Sequence, residues 1–191
     1  MTKREFSDLC EKRILLLDGA TGTNLQKAGM PTGVCPEQWI LENKEAAKAL
    51  QTAFLKAGTD ILYAPTFSAN RIKLTEYGLQ EKLEEMNREL VQLSKEVVAE
   101  FEAKQGCPAG THYVAGDLTM TGELLYPVGK LQFEELVDIY KEQVKVLAEA
   151  GVDLFVVETM MSLQECRAAV LAVKETCNLP VMVTLPFAAS S

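Results

Sequence analysis

The chain has 191 residues, of which 48% are hydrophobic and 24% are charged, as in an ordinary globular domain with its own core. Its formal net charge of -8 at pH 7 disfavours nucleic acid or an anionic membrane surface as the main partner. No apolar run approaches the roughly 20 residues of a membrane-spanning helix, and the N-terminus lacks the apolar stretch of a signal peptide. We therefore expect a cytoplasmic protein that binds neither nucleic acid nor membrane.

The cysteines do not form a recognisable metal-binding or disulfide pattern. There are five of them, an odd number, with scattered spacing and no Cys-x-x-Cys pair. The single histidine, His112, stands apart from all of them. This pattern predicts reduced thiols and no metal cluster within the chain.

The first predicted strand is the apolar run Ile14–Asp18, which is followed by a turn rich in glycine. Such a short apolar run is typical of a strand that is buried on both faces. Asp18 ends the strand, and a carboxylate there is costly to bury unless something partners it. Gly19 and Gly22 let the backbone turn tightly and bring its N–H groups close to a ligand.

The remaining elements alternate between helices and strands. Four further strands are predicted at residues 60–64, 112–117, 154–158 and 181–185. Helices are predicted at 1–13, 46–57, 79–104, 133–150 and 162–176, and an irregular loop, which includes Trp39, at 24–41. This alternation indicates a parallel α/β sheet, either an open doubly wound sheet or part of a (β/α)8 TIM barrel. The pattern alone leaves both architectures open.

One internal similarity supports stacked βα units. Residues 57–61 read Ala-Gly-Thr-Asp-Ile, and residues 150–154 read Ala-Gly-Val-Asp-Leu. Both stretches lie where a predicted helix leads into a strand. Repetition at equivalent places is typical of stacked βα units, although short loops of this kind can also resemble one another by chance.

Four polar residues, Asp18, Thr66, Asp117 and Glu158, lie at or just after the ends of predicted strands. The carboxyl ends of parallel strands meet at one edge of the sheet, so we expect these residues to converge. Three of them are acids, which would hold a cation, either an ammonium group or Mg²⁺. The alternatives are structural, with Asp18 in a simple turn and Asp117 as a cap.

The turn after Asp18 is suited to an anion, whereas the acids at the strand ends are suited to a cation. Backbone N–H groups of Gly19, Ala20 and Thr21 would suit an anion such as a carboxylate. A cation site beside an anion site suits an amino acid. No lysine lies at a strand end, which disfavours a Schiff-base mechanism.

Several motifs, taken in order along the chain, resemble the homocysteine S-methyltransferase family. The likeness is greatest to the homocysteine-binding domains of its cobalamin-dependent methionine synthase branch. The motifs are Leu-Asp-Gly-Ala-Thr-Gly-Thr at 17–23, Ala-Pro-Thr-Phe-Ser-Ala-Asn-Arg at 64–71, Gly-Asp at 116–117 with Thr-Gly-Glu at 121–123, and Val-Glu-Thr at 157–159. One departure is Met120, where relatives commonly have proline.

The resemblance implies a (β/α)8 barrel, of which residues 1–191 would form the N-terminal part with about five βα units. It implies that Asp18 and Glu158 hold the substrate ammonium group, while amides from Gly19 to Thr21 hold the carboxylate. Thr66 and Asp117 belong to the same expected substrate-binding set.

The resemblance also implies the chemistry, which is methyl transfer to the sulfur of homocysteine or a related thiol, giving methionine. In the family, zinc held by three cysteine thiolates activates the thiol, and here those ligands are expected beyond Ser191. The methyl group would come from cobalamin on a partner module or protein, and residues 1–191 alone are expected to be inactive.

Two other interpretations remain open. One is a Mg²⁺-dependent α/β enzyme with Asp18, Asp117 and Glu158 as metal ligands. The other is a non-catalytic module that binds an amino acid.

Overall fold

The computed structural model describes residues 1–186, so residues 187–191 of the predicted domain lie outside the described range. Four strands are present, namely β1 (Ile61–Ala64), β2 (Tyr113–Leu118), β3 (Leu154–Val157) and β4 (Val181–Val183). The helices are α1 (Lys3–Lys12), α2 (Thr21–Lys27), α3 (Pro36–Glu42), α4 (Lys44–Lys56), α5 (Arg71–Thr75), α6 (Leu83–Gln105), α7 (Phe133–Ala150) and α8 (Leu163–Thr176), with a 3-10 turn at Gln80–Lys82.

The strands form one sheet in the order β1-β2-β3-β4, and every neighbouring pair is parallel. Helix α6 connects β1 to β2, α7 connects β2 to β3, and α8 connects β3 to β4. A hydrophobic core between helices and sheet includes Leu62, Tyr140 and Phe155, which are fully buried. The predicted parallel α/β sheet is therefore confirmed.

The prediction that Ile14–Asp18 forms a strand buried on both faces is wrong for the described residues. This segment makes only one isolated parallel bridge, between Leu17 and Ile61. Ile14 is 85% exposed and Leu16 is 52% exposed. Among residues 1–186 this apolar run has a strand neighbour on one side only.

The internal similarity corresponds to a repeated set of hydrogen bonds. The Asp60 N–H donates to the Leu16 carbonyl at 2.8 Å, and the Asp60 carboxylate accepts from the Leu16 N–H at 2.8 Å. Likewise, the Asp153 N–H donates to the Val114 carbonyl at 2.8 Å, and its carboxylate accepts from the Val114 N–H at 2.9 Å. The segment before Asp18 thus lies beside β1 as β2 lies beside β3, which is the arrangement of consecutive βα units.

The irregular loop predicted at 24–41 is wrong in part, because most of this stretch is helical. Helix α2 covers Thr21–Lys27, and α3 begins with Pro36 in its first position, where proline is favoured. Both helices are too short to show a clear hydrophobic period. Trp39 lies in α3 and packs against the main core.

No helix within residues 1–186 combines the length and the apolar character that crossing a membrane requires.

Candidate functional site

A cavity of about 400 Å³ opens at the carboxyl ends of β1, β2 and β3. Its size is in the range of small-molecule sites. It brings together the predicted residues Asp18, Gly19, Ala20, Thr21, Asp117 and Glu158. The other lining residues are Gly22, Leu25, Pro36, Glu37, Ile40, Tyr63, Pro65, Phe67 and Ser68.

Asp18 is held beside the end of β1. Its N–H donates to the Ile61 carbonyl at 3.1 Å. Its Oδ2 accepts a hydrogen bond of 3.1 Å from the Tyr63 N–H. Its Oδ1 is buried and has no hydrogen-bond partner among the described residues, so Asp18 has one free acceptor in a cavity wall.

Asp117 lies inside β2, one residue before the strand ends, and is only 5% exposed. Its Oδ1 is also buried without a hydrogen-bond partner in the described part of the chain. Buried polar atoms in proteins are nearly always paired. Two unpaired carboxylate oxygens in one cavity therefore indicate a place for a hydrogen-bond donor from outside the protein.

Thr66 does not line the cavity, unlike the other predicted binding residues. It is fully buried, and its hydroxyl donates to the Asp117 carbonyl at 3.0 Å and accepts from the Asp117 N–H at 3.2 Å. Its hydroxyl is thus engaged by protein groups. The structure places Thr66 behind Asp117.

Glu158 directly follows β3 and is half-buried at the cavity. Its backbone is fixed, because its N–H donates to the Leu118 carbonyl at 2.9 Å and its carbonyl accepts from the Thr119 hydroxyl at 3.2 Å. The next residue, Thr159, has a positive φ of 56°, which is uncommon for a β-branched residue. Strain of this kind is frequent at functional sites.

The acids of the cavity share one electrostatic environment. Burial, with the nearby charge of Glu158, raises the pKa of Asp18 to about 7, although the Tyr63 N–H opposes this shift. Burial raises the pKa of Asp117 well above its ordinary value, and the charges of Glu158, Asp18 and Glu37 add to the effect. Burial also raises the pKa of Glu158. Among the described lining residues none is lysine, arginine or histidine, so the cavity favours a cationic ligand.

A fourth acid, Glu37, was missed by the sequence reasoning. It lies in α3, is 2% exposed and lines the cavity. Its Oε1 accepts from the Ser68 N–H at 2.7 Å, and its Oε2 accepts from the Cys35 thiol at 3.4 Å. Burial raises the pKa of Glu37. Only the assembly of α3 against the loop after β1 reveals it, because an acid after Pro36 looks like an ordinary first-turn residue.

The turn after Asp18 forms another part of the wall. Thr21 is the first residue of α2, and the first N–H groups of a helix have no partner within it. A Cβ at Gly19 would lie 3.2 Å from the Phe54 ring, so a larger residue there would require that ring to shift by a few tenths of an ångström. Backbone donors thus lie in the same cavity as the acids.

Metal ligation by these acids is not supported. Within residues 1–186, no group of three or more His, Cys, Asp or Glu side chains is placed to hold a metal ion. The described side chains therefore give no support to Asp18, Asp117 and Glu158 as a Mg²⁺ site. The five cysteines are free thiols at separate places in the fold.

Comparison with known proteins agrees with the fold. The family model of homocysteine S-methyltransferase matches residues 15–191. Two crystal structures of the homocysteine methyltransferase MmuM from Escherichia coli are similar. The metallated form has 22% identity and a TM-score of 0.75 over 91% of this chain, and the oxidized form has 23% identity and a TM-score of 0.78 over 92%.

The match covers 64% of the metallated MmuM chain and 63% of the oxidized one, so this chain spans less than two thirds of these structures. At this level of identity the structures establish a shared α/β fold. The family model covers most of the sequence, including every residue of the cavity wall. The chain therefore belongs to the homocysteine S-methyltransferase family.

Proposed function

We propose that this chain forms the amino-acid-binding part of an enzyme that methylates the sulfur of homocysteine or a related thiol. The observation that carries the proposal is the pair of buried, unpaired oxygens, Asp18 Oδ1 and Asp117 Oδ1, in a cavity with no cationic side chain. An ammonium group has three N–H donors and a positive charge, so it would satisfy both oxygens and lower the repulsion between the acids.

Three acids share the ammonium in this proposal, and each has a different setting. Asp117 is the most buried and therefore the most sensitive to the loss of a partner. Asp18 is held by the Tyr63 N–H, which leaves its other oxygen for the ligand. Glu158 approaches from β3 and supplies the third side of the ammonium pocket. Charged hydrogen bonds of this kind are about twice as strong as neutral ones.

The substrate carboxylate is assigned to the turn after Asp18. Gly19, Ala20 and Thr21 line the same cavity, and free backbone donors bind carboxylates well. An amino acid held at both ends would have its side chain as the only free part. These residues would then fix the direction in which the thiol points, and such positioning of a reacting group makes a large contribution to rate.

We further propose that zinc would activate the thiol and that a corrinoid would supply the methyl group. The described residues do not offer a fitting zinc ligand set. In this proposal, residues 1–186 bind and orient the amino acid. The expectation that residues 1–191 alone are inactive stays a prediction.

The test is calorimetric titration of the intact protein with L-homocysteine, with Glu158→Gln as the variant. This substitution keeps the size of the side chain and removes its charge, so we expect homocysteine affinity to fall about tenfold or more. Glu149→Gln is the control, because Glu149 lies on α7 away from the cavity, where it pairs with Arg88 at 3.5 Å. Unchanged affinity in Glu158→Gln would remove Glu158 from the site.

A further inference from the structure

The loop between β1 and α5, residues 65–70, forms one wall of the cavity and is held by buried side chains from three helices. Glu37 of α3 accepts from the Ser68 N–H, and Asn87 of α6 donates to the Ala69 carbonyl at 2.9 Å. Gln143 of α7 donates to the Thr66 carbonyl at 2.9 Å. Each of these three side chains is at most 2% exposed. The loop is thus fixed from the helix layer.

The contact between Thr66 and Asp117 follows from where β1 ends. Ala64, the last residue of β1, pairs with Gly116 of β2. The N–H and C=O of Asp117 on that side therefore have no strand residue opposite them, and the Thr66 hydroxyl bonds to both. The position of Asp117 consequently depends on the position of Thr66.

Gln143 is the link between α7 and this contact. It is 1% exposed, and its Nε2 donates to the Thr66 carbonyl and to Asn87 Oδ1, the latter at 3.1 Å. Asn87 is itself anchored by donating to the Leu83 carbonyl at 2.8 Å. A continuous buried chain of hydrogen bonds therefore runs from α6 through Gln143 and Thr66 to Asp117.

We propose that Gln143 is a positioning residue for the ammonium pocket, which acts on Asp117 through Thr66. The inference rests on the proposed function, since it concerns the same pocket. Groups that orient a binding residue commonly affect ligand affinity, because a small displacement of that residue weakens its contacts with the ligand. If Gln143 instead only stabilised the core, its loss would affect all ligands of the cavity alike.

The test compares two ligands that differ only in the ammonium group, namely L-homocysteine and 4-mercaptobutyrate. In the intact protein, Gln143→Met removes both donors with little change in side-chain volume. We expect the preference for homocysteine over 4-mercaptobutyrate to fall about fivefold, while the affinity for 4-mercaptobutyrate changes little. Calorimetric titration of each ligand measures this ratio.

Two further variants make the test specific. Glu142→Gln is the matched control on the same helix, because Glu142 pairs with Arg71 at the surface, with Nε to Oε2 at 2.7 Å. It should leave the ligand preference unchanged. Thr66→Val removes the hydroxyl, and its effect should not add to that of Gln143→Met in the double variant, since both interrupt the same path.

Three results would overturn the proposal. The first is an equal weakening of both ligands in Gln143→Met, which indicates a purely structural role. The second is an unchanged ligand preference in that variant, and the third is full additivity with Thr66→Val.

The proposed function can fail separately. If the unsubstituted protein binds neither ligand, the amino-acid site is wrong, and carboxyl carbon NMR of Asp117 then decides the positioning role. The charged groups that raise the pKa of Asp117, besides its burial, are Glu158, Asp18 and Glu37, and Tyr63 also lies near it, since the charge of Asp117 raises the pKa of Tyr63. A shifted titration midpoint of Asp117 in Gln143→Met supports positioning, and an identical midpoint in the two proteins overturns it.

Discussion

Two buried acids, Asp117 of β2 and Glu165 of α8, have almost the same burial and opposite surroundings. Glu165 of α8 is 4% exposed, and its Oε1 accepts from the Thr121 N–H at 2.6 Å, the Thr121 hydroxyl at 2.7 Å and the Tyr140 hydroxyl at 3.1 Å. Asp117 is 5% exposed, and its Oδ1 has no partner in the described part of the chain. Burial alone therefore does not distinguish a structural acid from a binding acid.

The difference lies in where the donors come from. The three donors to Glu165 Oε1 all come from the protein, and this contact fixes Thr121 in the loop that follows β2. Asp117 and Asp18 each keep one oxygen without a donor, which costs free energy in the absence of a ligand. A buried acid that the fold satisfies stabilises the fold, whereas a buried acid left unsatisfied at a cavity is available to a ligand.

The largest change in the free energy of unfolding is expected at Glu165, whose hydrogen-bond donors come from the protein. Replacing Glu165 with alanine leaves the Thr121 N–H buried without its acceptor and also opens a cavity. We expect the free energy of unfolding to fall by about 3 kcal/mol. Urea denaturation at pH 7 measures this change. Glu134→Ala, at an exposed position of α7, is the control, and an equal effect in both variants would contradict the structural role of Glu165.

Replacing Asp18 is expected to raise the free energy of unfolding, whereas replacing Glu165 lowers it. The folded protein keeps this carboxyl protonated up to about pH 7, whereas an unfolded aspartate ionises near its ordinary value of 3.8. Stability therefore falls as pH rises from about 4 to 7, and the full penalty is present above pH 7. Asp18→Asn cannot ionise, so we expect it to stabilise the unliganded protein at pH 8 and to have hardly any effect at pH 4.

Asp60 provides the control for this prediction, since its pKa is lowered. Burial opposes that shift, but the hydrogen bond from the Leu16 N–H and the nearby Arg13 outweigh it. The ionised form of Asp60 therefore stabilises the fold above the unfolded pKa, and this contribution is lost as pH falls through the lower folded value. Asp60→Asn should destabilise the protein at pH 8. Urea denaturation at both pH values separates the two cases, and a destabilised Asp18→Asn at pH 8 would contradict the unsatisfied state of Asp18.

The positions of the cavity acids followed from the sequence because parallel topology determines them. Once the strands are placed, Asp18, Asp117 and Glu158 must lie at the same edge of the sheet. Errors of one or two residues at strand ends do not change this outcome. The Ala-Gly-x-Asp similarity was equally informative, because its aspartates form the same contacts in both places.

The missed features depend on contacts between distant segments. Glu37 is buried only because α3 packs against the loop at 65–70, and its partner Ser68 is 31 residues away. The Thr66 hydroxyl bonds to the Asp117 backbone because β1 stops at Ala64. A sequence pattern that places the end of β1 with an error of one residue does not predict this contact. The exposure of Ile14 reflects a missing neighbour among residues 1–186, which an apolar pattern does not reveal.

The smallest change in the free energy of unfolding is expected from backbone strain, which differs between the loop beside Glu165 and the loop beside Glu158. Beside Glu165, the left-handed position in the loop is a glycine, Gly122, with φ of 85°. Beside Glu158, it is Thr159, with φ of 56°, where an L-residue costs about 1–2 kcal/mol. Glycine removes this strain but loses more chain entropy on folding, so we expect Thr159→Gly to gain about 0.5 kcal/mol in the free energy of unfolding.

Gly122→Ala is the reverse exchange and should lose about 1 kcal/mol, because alanine must adopt the left-handed conformation. If the strain at Thr159 serves to aim Glu158 at the cavity, Thr159→Gly should also weaken homocysteine binding, by about twofold to threefold. Gly122→Ala should leave that affinity unchanged. Urea denaturation and calorimetric titration of both variants test these predictions. A loss of stability in Thr159→Gly would contradict backbone strain at Thr159. The loops beside Glu158 and Glu165 would then differ only in their acids.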